Sequence, residues 1–183
     1  MGEELDGSTK LEIYRLVLKR YKDIITEKES LSISEIRQKV SPYNDFIRKL
    51  NSGLTKDIVG YSYKKDFIQA AQNAMDYVRG IKTCEFAFTF WMDFEDMRRL
   101  KIGTAMDKAI LFAALLRSLG SEDVRVLVTK SYKPYVKFSF DKEYLFVPET
   151  GSLLLGEDSM KMFSGDEVSY SFSDLVYENY EED

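Results

Sequence analysis

The chain has 183 residues and a net charge of −5, with 44% hydrophobic and 31% charged residues. This balance is that of a folded globular protein, and it excludes global disorder and a fibrous protein. The acidic charge argues against nucleic acid as a partner and predicts no attraction to an anionic membrane. No apolar run reaches the roughly 20 residues of a transmembrane helix.

The amino-terminal part is predicted to be helical. Thr9 and Glu12 have the spacing of a capping box, and apolar residues recur every three or four positions through 10–28. These apolar residues are Leu11, Tyr14, Leu18, Tyr21 and Ile25. We interpret this stripe as core packing rather than as a partner site. A capping box at Ser32 predicts a second helix, and Pro42 predicts the first turn of a third.

The middle of the chain alternates between helical and aromatic segments. Apolar spacing predicts a helix over 67–78 that ends near Gly80. Aromatic residues then alternate at Phe86, Phe88 and Phe90, which favours a strand. Asp93 predicts the start of a short helix that continues to Leu100.

The segment 104–119 is apolar on nearly its whole circumference, which predicts a helix buried on more than one side. Asp107 in its first turn is interpreted as a capping acid. Three later runs are rich in β-branched and aromatic residues and predict antiparallel strands. These strands are 124–129, 134–140 and 143–148.

Helices followed by antiparallel strands indicate an α+β fold. We predict a helical amino-terminal extension over 1–60 and an α+β core over 61–183. The acidic amino terminus differs from a signal peptide, so we expect a cytoplasmic protein. Scarce asparagine and glutamine beside abundant lysine and glutamate indicate a heat-adapted source.

The buried helix begins Gly103-Thr-Ala-Met-Asp107 and ends Leu115-Leu-Arg-Ser-Leu-Gly120. Two strand segments follow it, Lys133-Pro-Tyr-Val136 and Tyr144-Leu-Phe-Val-Pro148. This order resembles the transglutaminase-like (papain-like) core, in which the helix begins Gly-x-Cys-x-Asp, one strand begins His-Ala-(Trp/Tyr)-Val and another ends Asp-Pro. The resemblance covers 66–151 and implies a buried helix packed on a small antiparallel sheet.

The three catalytic positions implied by this resemblance hold other residues. The cysteine falls on Ala105, the histidine on Lys133 and the aspartate on Val147, with one or two residues of freedom for the last two. The chain contains no histidine, and its single cysteine, Cys84, is interpreted as a small buried hydrophobic residue. Since a thiolate and an imidazole are required for this chemistry, we predict a catalytically inactive protein without a cofactor or bound metal.

Enzymes of this fold bind an extended peptide between the helix and the sheet. The resemblance therefore implies a module that binds a protein or a peptide in this groove. The candidate groove residues are Trp91, Ala105, Asp107, Lys133, Tyr135 and Glu149. The sequence predicts no particular oligomeric state.

The alternative hypothesis is a hydrolase with relocated carboxylate or metal chemistry on the same scaffold. Its candidate acids are Asp93, Glu95, Asp96, Asp107 and Glu149. The first three lie at the predicted start of a helix, where acidic side chains interact favourably with the positive end of the helix dipole. That position favours the structural interpretation of these acids. A site would require them to converge in one cleft.

Overall fold

The computed structural model describes residues 6–86, 90–156, 159 and 161–180. The chain forms two compact units, Met1–Leu31 with Phe86–Trp91 and Ser32–Glu85 with Met92–Asp183. Residues 32–60 thus fall in the same unit as the strands, and the predicted boundary between 60 and 61 stays a prediction.

The first unit contains the helix α1 (Gly7–Lys28). The second unit contains, in chain order, α2 (Ile33–Lys39), α3 (Asp45–Leu54), α4 (Tyr63–Arg79), β1 (Lys82–Thr83), α5 (Phe94–Leu100), β2 (Ile102–Gly103), α6 (Ala105–Ser118), β3 (Val124–Thr129), β4 (Pro134–Ser139), β5 (Glu143–Val147), β6 (Ser152–Leu155), β7 (Val168–Phe172) and β8 (Tyr177–Asn179).

Helix α1 begins earlier than its sequence predicts. The Asp6 carboxylate accepts hydrogen bonds from the backbone N–H groups of Ser8 (2.8 Å) and Thr9 (3.1 Å). The Thr9 hydroxyl donates to the same carboxylate, so Thr9 lies inside the helix. The predicted capping box of Thr9 and Glu12 is therefore wrong, because the charged Asp6 side chain already satisfies the free donors of the first turn.

The apolar stripe of α1 is exposed to solvent. Leu11, Tyr14, Leu18 and Tyr21 are 41–63% exposed, and only Ile25 is half-buried. The interpretation of this stripe as core packing is wrong. A helical period is the same whether or not an apolar face is covered, so the sequence alone does not separate the two cases.

The sequence predicted the next three helices, α2, α3 and α4, but placed the start of α3 too early. Ser32 and Glu35 form the predicted capping box at the start of α2. The amide oxygen of Asn44 accepts from the N–H groups of Phe46 and Ile47, so α3 starts after Asn44 rather than at Pro42. Helix α4 ends at Arg79 and Gly80 caps it, which confirms the predicted end near Gly80.

The six strands β3–β8 form one antiparallel sheet with the order β6-β5-β4-β3-β7-β8. The predicted strands β3, β4 and β5 are confirmed and pair with each other in sequence order. Strand β6 extends the sheet at one edge, and β7 and β8 extend it at the other. The sequence predicted none of these last three, because short strands in a mixed tail carry a weak alternation signal.

Helix α6 packs against one face of this sheet, as predicted. The Phe112 ring lies 6.0 Å from the Phe138 ring and 4.5 Å from the Phe146 ring, measured between centroids. Because side chains alternate along a strand, the neighbouring positions point to the opposite face. There Leu127, Tyr135, Leu145 and Val147 form a second buried apolar cluster. The α+β fold is therefore confirmed.

The predicted strand at 86–90 lies partly outside the described residues, because it includes Phe88. Within the first unit, the rings of Phe86 and Phe90 meet edge to face with centroids 5.5 Å apart. Among the helices of the described chain, none is long and apolar enough to span a membrane.

Candidate functional site

The first turn of α6 is held by a complete set of capping hydrogen bonds. The Thr104 hydroxyl accepts from the Asp107 N–H (3.1 Å), and the Asp107 carboxylate accepts from the N–H (3.0 Å) and the hydroxyl (2.8 Å) of Thr104. The same carboxylate accepts from the Met92 N–H (3.4 Å). The interpretation of Asp107 as a capping acid is confirmed. Burial raises the pKa of Asp107, and these hydrogen bonds only partly oppose that effect.

Burial of the ionised Asp107 carboxylate lowers the free energy of unfolding, and we expect Asp107→Asn to remove this pH-dependent effect. The ordinary pKa is 3.8 and the native pKa is higher, so above pH 3.8 the unfolded chain releases this proton more readily than the native protein. The free energy of unfolding of the natural protein should fall relative to that of Asp107→Asn as pH rises from about 3.8. Urea unfolding from about pH 2.5 to pH 7 measures this difference.

The control is Asp141→Asn, for which we expect the opposite sign. The Tyr144 hydroxyl donates to the Asp141 carboxylate (2.6 Å) and lowers the pKa of Asp141. Stability from Asp141 is therefore present above pH 3.8 and lost as pH falls below it. Parallel pH profiles for the natural protein and Asp107→Asn would contradict a raised pKa at Asp107.

Gly103 allows three elements to meet at the start of α6. It pairs with Thr83 in the parallel ladder of β1 and β2. A Cβ at position 103 would lie 2.8 Å from the Met97 side chain of α5 and 3.6 Å from the Asp107 Cβ. A larger residue would therefore require the terminal methyl group of Met97 to move, whereas glycine leaves it in place. Ala105 follows as the first, half-buried residue of α6.

Lys108 connects the first turn of α6 to two other segments. Its Nζ donates to the Thr83 hydroxyl (2.8 Å), and that hydroxyl donates to the Glu149 carbonyl (3.2 Å) just after β5. Lys108 is 3% exposed, and burial lowers the pKa of its ammonium group. A lysine inside the most apolar helix is the sequence signal for such a buried polar contact, although it does not identify Thr83 as the partner.

Cys84 lies beside the start of α6. Its N–H donates to the Gly103 carbonyl (3.0 Å), which extends the β1–β2 ladder by one residue. The side chain is half-buried rather than fully buried. The sequence did not predict this position, because the ladder joins residues that are far apart along the chain.

Two of the predicted catalytic positions lie on or beside the sheet. Lys133 is exposed in the turn before β4, where its carbonyl accepts from the Thr129 N–H (3.1 Å). Val136 pairs with Phe146, and continuation of this register places Tyr135 opposite Val147. These two side chains meet in the apolar cluster on the face of the sheet away from Phe112. The assignment of Lys133 and Val147 to catalytic positions stays a prediction.

The candidate groove residues differ in exposure. Asp107 and Tyr135 are buried, Ala105 is half-buried, and Lys133 and Glu149 are exposed. Trp91 belongs to the first unit and stays a prediction as a groove residue. At the start of α6, the hydrogen bonds join position 149 to the first turn of the helix through Thr83.

The acidic side chains that the alternative hydrolase hypothesis requires do not converge in one cleft. Asp93, Glu95 and Asp96 line a surface groove of about 440 Å³, together with Lys39, whose Nζ lies 3.6 Å from the Asp93 carboxylate. Asp107 is instead used in capping α6. Across the described ranges, no three carboxylate or thiol side chains are grouped so that they could hold a metal ion.

The predicted fold class, α+β with a buried helix on a small antiparallel sheet, is confirmed, and two solved structures have a similar fold. The fold of this protein is similar to that of Legionella pneumophila LapG. One LapG structure has 14% identity and a TM-score of 0.55, over 84% of this chain and 90% of LapG. A calcium-bound LapG structure has 14% identity and a TM-score of 0.54, over 82% and 88%.

At this level of identity the likeness concerns the fold alone. No protein-family model matches the sequence, and no curated protein matches it.

Proposed function

We propose that this chain is a catalytically inactive transglutaminase-like protein that binds an extended peptide of a protein partner. The observation that carries the proposal is Ala105 as the first residue of α6 in a chain without histidine. A cysteine enzyme needs a thiolate whose pKa is lowered by a helix amino terminus and an imidazolium. The side chain of Ala105 supplies no thiol, and no imidazole is available to Cys84.

Lys108 does not replace the missing base. Its ammonium group already donates to the Thr83 hydroxyl, and only 3% of the residue is exposed. A general base must reach the proton that it removes from a substrate or nucleophile. The contacts of Lys108 therefore support a structural role in joining α6 to β1.

Peptide recognition is the part of protease function that survives the loss of the nucleophile and the base. The sequence resembles the transglutaminase-like family, and an enzyme of that family must hold its polypeptide substrate at the start of the buried helix. In this chain Ala105 is half-buried at that point, and Glu149 is exposed beside the Thr83 link. We place the bound peptide against these two residues. With a single cysteine and no possible internal disulfide, the protein would act in the cytoplasm.

The test is selection of binding peptides from a random display library on the full-length protein. The affinity of an enriched peptide is then measured by fluorescence polarisation against variants. Ala105→Tyr should weaken binding at least about tenfold, because an aromatic ring would fill the space next to the helix start. Ser118→Tyr is the matched control, since Ser118 is also half-buried but ends α6. The Ser118→Tyr variant should bind the enriched peptide as tightly as the natural protein does.

Thermal unfolding of both variants shows whether they remain folded. An enriched peptide that binds Ala105→Tyr as tightly as the natural protein would place recognition elsewhere and contradict the proposed groove. Separately, iodoacetamide-sensitive hydrolysis of any amide substrate by the purified protein would overturn the proposed inactivity.

A further inference from the structure

Helix α1 has an apolar face along its central turns. At 100° per residue, eight apolar side chains fall within an arc of about 160°, and the only charged positions in that arc are 10 and 28, both lysine, at the two ends of the helix. These are Leu11, Ile13, Tyr14, Val17, Leu18, Tyr21, Ile24 and Ile25. All but Ile25 are 41–63% exposed, so most of this face is accessible to solvent in the part of the chain that the structure describes. A helix of 22 residues with such a face is stabilised mainly by whatever covers it.

The charge of α1 is opposite to that of the rest of the chain. Six basic and three acidic residues give the helix a net charge of +3, so the remainder of a chain at −5 carries −8. By the same projection, Arg15 and Lys22 adjoin one edge of the apolar face and Arg20 adjoins the other edge. The acids Glu12 and Asp23 lie near the centre of the polar face, furthest from the apolar side chains.

We propose that α1 binds the surface of an anionic lipid membrane and lies in the headgroup layer with its apolar face toward the acyl chains. Amphipathic helices with basic edges bind in this way, through buried apolar area and attraction to anionic headgroups. Tyr14 and Tyr21 suit this depth, because each has an apolar ring and a polar hydroxyl. The net charge of −5 predicted no such attraction, but the charge is unevenly distributed and the helix itself is basic.

A second copy of α1 fits the same face less well. In a heptad with Leu11, Leu18 and Ile25 at the first position, the flanking fifth positions are Arg15 and Lys22. In a parallel pair these basic side chains would face the seventh positions of the partner helix, which are Lys10, Val17 and Ile24, so no acid would pair with them. An apolar arc of about 160° is also wider than the seam of a two-stranded coiled coil. An anionic surface, in contrast, pairs with every basic edge residue.

The test is flotation of the full-length protein with lipid vesicles. We expect it to float with vesicles of phosphatidylcholine and phosphatidylglycerol at a four-to-one ratio, and much less with pure phosphatidylcholine. Added salt should weaken binding, because it screens the headgroup charge. Leu18→Glu should lower the bound fraction at least about tenfold through the lost apolar area and an acid on the membrane face.

Leu16→Glu is the matched control. Leu16 lies on the polar face and is 66% exposed, and the substitution makes the same change in residue type and charge. This variant should bind vesicles nearly as well as the natural protein. Equal losses in both variants would show that net charge alone drives binding and would overturn the proposed face.

Failure of the natural protein to float at low salt would also overturn the proposal. Sedimentation velocity without lipid then tests whether a second copy of the chain covers the apolar face of α1. Dissociation of an oligomer by Leu18→Glu but not by Leu16→Glu would assign the apolar face to a second copy of the chain.

Discussion

Replacement of Arg117 by alanine is expected to lower the free energy of unfolding by about 3–5 kcal/mol. The Arg117 guanidinium donates to both carboxylate oxygens of Asp174, at 2.6 and 3.0 Å, and to the Ser121 carbonyl at 2.6 Å. The two side chains of the ion pair are only 8% and 13% exposed. Without Arg117, Asp174 would be left as an unpaired and largely buried charge at the end of α6.

Urea unfolding followed by far-ultraviolet circular dichroism measures this loss. Arg99→Ala is the control, because the Arg99–Asp96 pair has the same 2.6 Å distance but side chains that are 69% and 48% exposed. It should cost less than about 1 kcal/mol. The double variant Arg117→Met with Asp174→Leu should recover most of the stability, because it removes both charges together. Similar losses for Arg117→Ala and Arg99→Ala would show that burial of the ion pair contributes nothing.

Val147→Asp is expected to destabilise the protein by at least about 3 kcal/mol near neutral pH. Val147 is 9% exposed in an apolar cluster with Leu127 and Leu145, where an ionised carboxylate would lose its hydration. Burial raises the pKa of the neighbouring Tyr135, and the negative charges of Asp166 and Glu149 add to this shift. The same surroundings would raise the pKa of a carboxyl at position 147.

The loss in Val147→Asp should therefore diminish as pH falls below the raised native pKa of the new carboxyl toward its unfolded value of about 3.9, because the native protein binds the proton first. Val147→Asn is the control for polarity without charge, and its cost should not change over this pH range. Addition of Lys133→His tests the predicted catalytic register. A histidine that recovers stability only in the Val147→Asp background would support adjacency of positions 133 and 147, whereas purely additive effects would refute it.

Much of the second unit could be predicted from the sequence because its signals are local. Capping by Thr104 and Asp107 involves side chains three residues apart, and the burial of α6 follows from apolar residues on every side of one helix. The alternation of β3, β4 and β5 likewise depends on adjacent positions in the chain. The count of histidines needs no structure at all, and it alone excludes imidazole chemistry.

Only the tertiary structure decided what covers each face. The periodicity of α1 is compatible with a buried or an exposed apolar stripe, and the structure leaves Leu11 and Tyr14 in solvent. The contacts of Lys108 with Thr83, and of Arg117 with Asp174, join positions 25 and 57 residues apart. Hydrophobic periodicity and capping patterns describe neighbours within about one helical turn, whereas these contacts depend on how separate elements pack. For that reason the sequence by itself determined the buried helix and its strands, and the packing determined which side chains surround the site.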